Sequence, residues 1–271
     1  MYGVTSRPSR AHISAVEHFR RGEEDPVTQS TTATQGDAPR TTKIPDMPGD
    51  AIAHRPLHFL WLIDASGSMQ GAKIESLNTA IREVLPTVKK EAEEWPEVQM
   101  KMGAITFANG AKWHTKDFQP LDQFTWTGVR ADGVTDMGHA FELAADFLRD
   151  NMPDRAIPPV LVLMSDGGPT DDYRSGIKRI LDLPWGKKAV RLAIAIGQDA
   201  DADVLKAFVA NNERPVIQAN SPEKLVDAIR WASTTVTKSV AAGRSKSGSA
   251  NDPEVPLPPK DAPGVKADDV W

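Results

Sequence analysis

The segment Leu62-Ile63-Asp64-Ala65-Ser66-Gly67-Ser68-Met69 sets one carboxylate and two hydroxyls at alternating positions, directly after an apolar run. Hard oxygen donors in that pattern suit a small divalent cation. Mg²⁺ takes about six oxygens near ~2.1 Å and keeps several of them as water. Two more oxygen donors stand at comparable places along the chain. Thr135 opens a helical stretch after Gly133-Val134, and Asp166 ends a second apolar run. Asp64, Ser66, Ser68, Thr135 and Asp166 are therefore the candidate metal ligands. Two carboxylates supply charge, while three hydroxyls orient the ion and leave it incompletely neutralised.

Other chemistries need residues this chain does not place there. A serine nucleophile elbow needs Gly-x-Ser-x-Gly between strand and helix, whereas Ser66 lies in Asp64-Ala65-Ser66-Gly67. Phosphatases of the haloacid dehalogenase type open with Asp-x-Asp at a strand end, and the second position here is Ser66. A metal-dependent phosphohydrolase thus stays only as an alternative. The phosphate-binding patterns Gly-x-Gly-x-x-Gly and Gly-x-x-x-x-Gly-Lys are absent, so nucleotide binding has no support.

The elements that must position these donors follow from apolar periodicity. Leu57–Ile63 reads as a strand buried on both faces. Ile74–Glu94 has helical spacing, with Pro86 a source of bending. Val98–Phe107 alternates as a strand, and Trp113–Phe118 is a weaker one. Thr135–Asn151 is a helix, Val160–Met164 a buried strand and Tyr173–Leu183 a helix. Ala189–Ile196 (strand), Ala202–Asn211 (helix) and Val216-Ile217 (short strand) follow. Pro222–Ser239 closes the chain as a helix capped by Ser221. This alternation predicts an α/β fold: a doubly wound, mainly parallel sheet with helices on both faces and one antiparallel edge strand. Ligands of such sheets sit at the carboxyl ends of strands, where the chain order switches. Asp64 and Asp166 both belong to that edge.

Composition bounds the function. The chain has 271 residues, 40% hydrophobic and 25% charged, enough for one α/β domain plus tails. Its net charge of -5, without a clustered basic run, argues against nucleic-acid binding. With no cysteine, disulfide scaffolds, thiolate metal sites and thiol catalysis are excluded. The first twenty residues lack an apolar stretch, and no run is long enough to span a bilayer. These features predict a cytoplasmic protein without membrane association. Residues 1–55 are rich in Thr, Pro and charge, and 241–271 are rich in Gly, Ser and Pro. Both are expected to be flexible tails around a domain at 56–240.

Asp-x-Ser-x-Ser after a buried strand, Gly-Val-Thr-Asp before a helix and Ser165-Asp166-Gly167 after a central strand together resemble the metal-ion-dependent adhesion site of von Willebrand factor A domains. The resemblance covers residues 57–240, and all five positions stand in the family's order. It implies a protein-binding module rather than an enzyme. The ion would be Mg²⁺, with Mn²⁺ or Ca²⁺ possible, and an open coordination position would accept an acidic side chain from a partner. The stretches Ser165-Asp166-Gly167-Gly168-Pro169-Thr170-Asp171 and Gly133-Val134-Thr135-Asp136-Met137-Gly138 also resemble bacterial tellurium-resistance and stress-operon proteins of this family. That resemblance implies stress signalling with a kinase or phosphatase as partner. A scaffold that binds through its tails, without metal, is the other open reading.

Several nearby residues carry two readings. His139, one turn after Thr135, is either a pH-sensitive neighbour of the site or a surface helix residue. Asp136 reads as a second acceptor behind the ligands or a helix-start charge. Asp132 crowds the same edge, and Asp171 and Asp172 read as first-turn acids of the following helix. Trp126 is either packing or a partner-facing anchor. The Thr cluster of Thr28–Gln35 and Thr41-Thr42 is an unmodified spacer or, as the resemblance would suggest, a kinase target.

Overall fold

The computed structural model describes residues 54–210, 214, 216–243 and 255–258. Most of the two expected tails, including the Thr cluster of Thr28–Gln35 and Thr41-Thr42, lies outside the described residues. Strand β1 (Arg55–Asp64) is apolar on both faces and fully buried from Leu57 onward. It pairs in parallel with β2 (Val98–Ala108) on one side and with β5 (Val160–Ser165) on the other. β6 (Val190–Ile196) and β7 (Ile217–Ala219) continue the parallel sheet beyond β5. At the far edge β3 (Gly110–Trp113) runs antiparallel to β2, as does the two-residue β4 (Gln119–Pro120). The order is β3-β2-β1-β5-β6-β7, with β4 also on β2. The predicted mainly parallel sheet with an antiparallel edge is therefore observed.

Helices cover both faces because β1 alternates between two cores. Leu57, Phe59, Trp61 and Ile63 point to one core, shared with α1 (Ala72–Ala92) and α6 (Pro222–Trp231). Leu60 and Leu62 point to the other, shared with α2 (Met137–Asp150), α3 (Tyr173–Asp182) and α5 (Ala202–Val209). A strand buried on both faces needs a continuous apolar run, which is how β1 and β5 read in the sequence.

Three elements differ from expectation. The edge strand predicted at Trp113–Phe118 is displaced to Gly110–Trp113, because the chain reverses at Asn109 and Gly110 holds φ 74°. Asn-Gly is a hairpin signal in its own right. A short helix α4 (Pro184–Lys188) follows α3 directly, started by Pro184 at its first turn. The closing helix is not uniform. After α6 comes a π-helical turn, Ala232–Val236, and then α7 (Thr237–Ala241). Thr234 donates its hydroxyl to the Arg230 carbonyl and Thr237 to the Ala232 carbonyl. Such back-bonding competes with the regular backbone ladder. Val255, past the expected domain end, packs against the α1–α6 core.

Candidate metal centre

The chain order switches at β1: β2 lies on one side of it and β5 on the other. Their carboxyl ends face the same edge, where ligands bind in open α/β sheets. Ile63 pairs with Met164 in register. One step further the strands bring Asp64 beside Ser165, whose hydroxyl donates to Asp64 Oδ2 at 2.5 Å. Asp64 and Ser165 have no exposed surface, and Ser66 and Asp166 are nearly as buried.

The loop after β1 folds back on its own carboxylate. The Ser66 N–H donates to Asp64 Oδ1 at 2.8 Å. The Ser66 and Ser68 hydroxyls lie 3.0 Å apart, and Ser68 Oγ donates to Asp166 Oδ1 at 2.7 Å. Gly67 sits between the serines, where a Cβ would come within 3.2 Å of the Gly133 carbonyl. That close approach lets the Gly67 N–H donate to Gly133 O at 2.9 Å. The Asp132 N–H donates to Ala65 O at 2.8 Å. These two backbone bonds draw the loop carrying Thr135 onto the same edge.

Thr135 is held through its backbone and through Thr170. Its N–H donates to Thr170 Oγ1, and its carbonyl accepts from the Thr170 N–H. Thr170 Oγ1 in turn donates to Asp136 Oδ1, while Asp136 Oδ2 accepts from the Gly110 N–H. Asp136 thus stands as an acceptor behind the candidate donors, as the sequence suggested. Asp172 caps its own helix α3 by accepting from the Ser175 N–H. Asp171 does not belong to that helix. It accepts from the Gly138 and His139 N–H groups at 2.8 and 2.9 Å, so it caps α2 from the neighbouring loop.

Electrostatics at this edge are acidic. Burial pushes the Asp64 carboxyl above its ordinary value, more than hydrogen bonds from Ser165 and Ser66 pull it down, and the Asp166 charge pushes the same way. A carboxylate under that pressure gains from a cation. One cation is already seated nearby: Lys73 Nζ lies 2.5 Å from Asp166 Oδ2. The donor set of two buried carboxylates and three hydroxyls fits Mg²⁺ or a similar hard ion. No cluster of three or more His, Cys or acidic residues that could hold a metal occurs among the described residues, so the hydroxyls must complete any coordination.

A groove of about 540 Å³ opens beside the loops. Ala65, Asn109, Lys112, His114, Arg130 and Asp132 are among its lining residues. Lys112 and Arg130 are exposed and form no ion pair among the described residues. Trp126 is not an exposed anchor. It is 8% exposed, donates Nε1–H to Asn78 Oδ1 and packs on Trp61 and His114. His139 is a surface residue whose Nδ1 lies 3.9 Å from Asp136 Oδ2, beside that acceptor rather than the five donors.

The family model for the von Willebrand factor type A domain matches residues 60–231. This chain belongs to that family. Solved structures agree on the fold at low identity. A von Willebrand factor type A protein from Catenulispora acidiphila shares 16% identity at a TM-score of 0.54, covering 71% of this chain and 44% of its own. Proximal thread matrix protein 1 from the mussel byssus, solved with a zinc-occupied MIDAS motif, shares 13% identity at a TM-score of 0.50, covering 70% and 48%. The chain thus spans less than half the length of these two structures. No match is found among curated proteins. Domains of this family are often metal-dependent protein-interaction modules.

Asp64, Ser66, Ser68 and Asp166 are joined by hydrogen bonds, and backbone contacts bring in Thr135. Sequence reasoning missed Lys73, Ser165 and Thr170 as parts of the centre. Ser165 could have been found from register, since it directly precedes Asp166 on a strand adjacent to β1. Lys73 carries no local signal, because its partner lies 93 residues away.

Proposed function

We propose that this chain is a divalent-cation-dependent protein-binding module and not an enzyme. Asp64, Ser66, Ser68, Thr135 and Asp166 would hold Mg²⁺, with Mn²⁺ or Ca²⁺ as substitutes, and a partner carboxylate would complete the coordination. The observation that carries this reading is the linked set Asp64–Ser66–Ser68–Asp166 at the switch point of the sheet. The ion supplies the positive charge that an acidic partner needs at an edge crowded by Asp64, Asp132, Asp136 and Asp166. Lys112 and Arg130, in the adjoining groove, suit a second acidic group of the same partner. The zinc-occupied motif of the mussel protein is in keeping with a divalent ion at this position. Ser66 stands where the phosphohydrolase alternative needs a second carboxylate after Asp64, and its N–H donates to Asp64 Oδ1.

The setting we infer is intracellular bacterial stress signalling, with a kinase or phosphatase as partner. It rests on the Ser165–Asp171 and Gly133–Gly138 stretches and on the cysteine-free composition. No described helix is long and apolar enough to cross a membrane. The test is affinity capture from a native lysate in Mg²⁺ against EDTA, using the wild type and the Asp64→Ala and Ser66→Ala variants. The expected result is a partner retained only in Mg²⁺ and lost with either variant. A partner indifferent to EDTA and to both variants, but lost on deleting residues 1–50, would establish the tail-scaffold reading instead.

A further inference from the structure

Lys73 occupies an unusual place. It is the second residue of α1, where the helix dipole disfavours a cation. Its side chain is only 18% exposed and its ammonium reaches Asp166, whose side chain has no exposed surface. Both carboxylate oxygens of Asp166 are therefore engaged, Oδ1 by the Ser68 hydroxyl and Oδ2 by Lys73. A divalent ion coordinated by these loops would sit close to that ammonium. Like charges at such separation in a buried setting oppose one another strongly. The lysine stem is long and flexible and can carry its charge out to solvent.

We propose that Lys73 is a tethered counter-cation that competes with the divalent ion for Asp166 and thereby sets the metal affinity of the site. The inference rests on the five donors forming a metal centre. Lys73 neutralises the buried Asp166 carboxylate and keeps the loops assembled until the ion arrives. On binding, the ion takes over the neutralising role, and Lys73 swings to the surface. The site then responds to free cation concentration with a threshold set by one side chain, and an acidic partner group meets a released ammonium beside the metal.

The test uses the full chain and reads metal binding directly. Mg²⁺ and Mn²⁺ titrations by calorimetry are run on the wild type, Lys73→Met, Lys73→Gln and Lys73→Arg, alongside melting curves in EDTA and in Mg²⁺. Lys73→Met and Lys73→Gln should melt earlier than wild type in EDTA and bind Mg²⁺ tighter by about tenfold or more. Lys73→Arg, which retains the charge, should stay near wild type. Either neutral variant, folded, with unchanged or weaker Mg²⁺ affinity than a wild type that binds overturns the competition. Failure of the wild type and of both neutral variants to bind either ion overturns the metal-centre reading itself and the role of Lys73 with it.

Discussion

Asp64 keeps a carboxyl group where burial works against stability. It is wholly buried at the end of β1, and burial is the largest influence raising its carboxyl above the ordinary value of 3.8. A carboxyl raised on folding contributes stability that is fully present below that ordinary value and is lost as pH rises through the folded value. As pH rises past the ordinary value, the buried carboxyl therefore opposes folding. Asp64→Asn should leave the unfolding free energy in EDTA unchanged or higher, while abolishing the melting rise caused by Mg²⁺. Ser165 can adapt, because its hydroxyl also lies 3.3 Å from the Gly167 carbonyl and can turn there to accept from the new amide. Urea denaturation at pH 7 with and without Mg²⁺ checks both halves. A large loss of stability in EDTA would show that Asp64 is held for structure.

At the scale of elements, the start of α2 is assembled by another loop. Asp136, at its N-cap position, makes no side-chain cap. Asp171 supplies it across space, and Gly138 permits the approach: a Cβ there would stand 2.9 Å from both Asp171 Oδ2 and the Asp172 carbonyl. Losing a side-chain cap costs about 1 kcal/mol, and the carboxylate also complements the helix dipole. Asp171→Ala should therefore destabilise the fold by about 1–2 kcal/mol and weaken Mg²⁺ binding, since Thr135 lies just ahead of this helix. Asp171→Asn, whose single amide oxygen can replace only one of the two acceptors, should recover part of the stability. Denaturation midpoints and metal titration of the two variants check this. Equal loss in both would mean that one accepted hydrogen bond alone does not hold the junction.

At the scale of the whole molecule, acid sensitivity has an identifiable source in the sheet. His58 in β1 is 4% exposed, sits against the Phe118 and Phe147 rings, and leaves Nδ1 without a partner. Burial, with Lys101 nearby, lowers its value from 6.5 to about 4. Between those two values the unfolded chain binds a proton that the folded protein refuses, so stability rises with pH across that window and falls on acidification. The loss over the window is roughly 2–3 kcal/mol. His58→Leu should flatten this part of the stability–pH curve, measured by urea denaturation from pH 7 to 4. A curve as steep as wild type would place the acid sensitivity elsewhere.

The sequence by itself determined the parts that depend on local order. Continuous apolar runs that end in turn-forming residues and are too short for buried helices read as strands buried on both faces, so β1 and β5 were legible, and with them the edge where Asp64 and Asp166 emerge. Asp64, Ser66 and Ser68 were legible because their spacing in one tight loop is itself the chemical pattern. Asn109-Gly110 was a legible turn signal that the aromatic content of Trp113–Phe118 obscured. Only the tertiary structure decided what faces what across the sheet. Register placed Ser165 on Asp64. Close approach at Gly138 turned Asp171 from an acid of its own helix into the cap of another. Packing against Trp61 and His114 buried Trp126. The ammonium of Lys73 reached Asp166 only once the start of α1 came beside the residue that follows β5. The partner of a polar side chain is a matter of distance in space, and distance along the chain does not encode it.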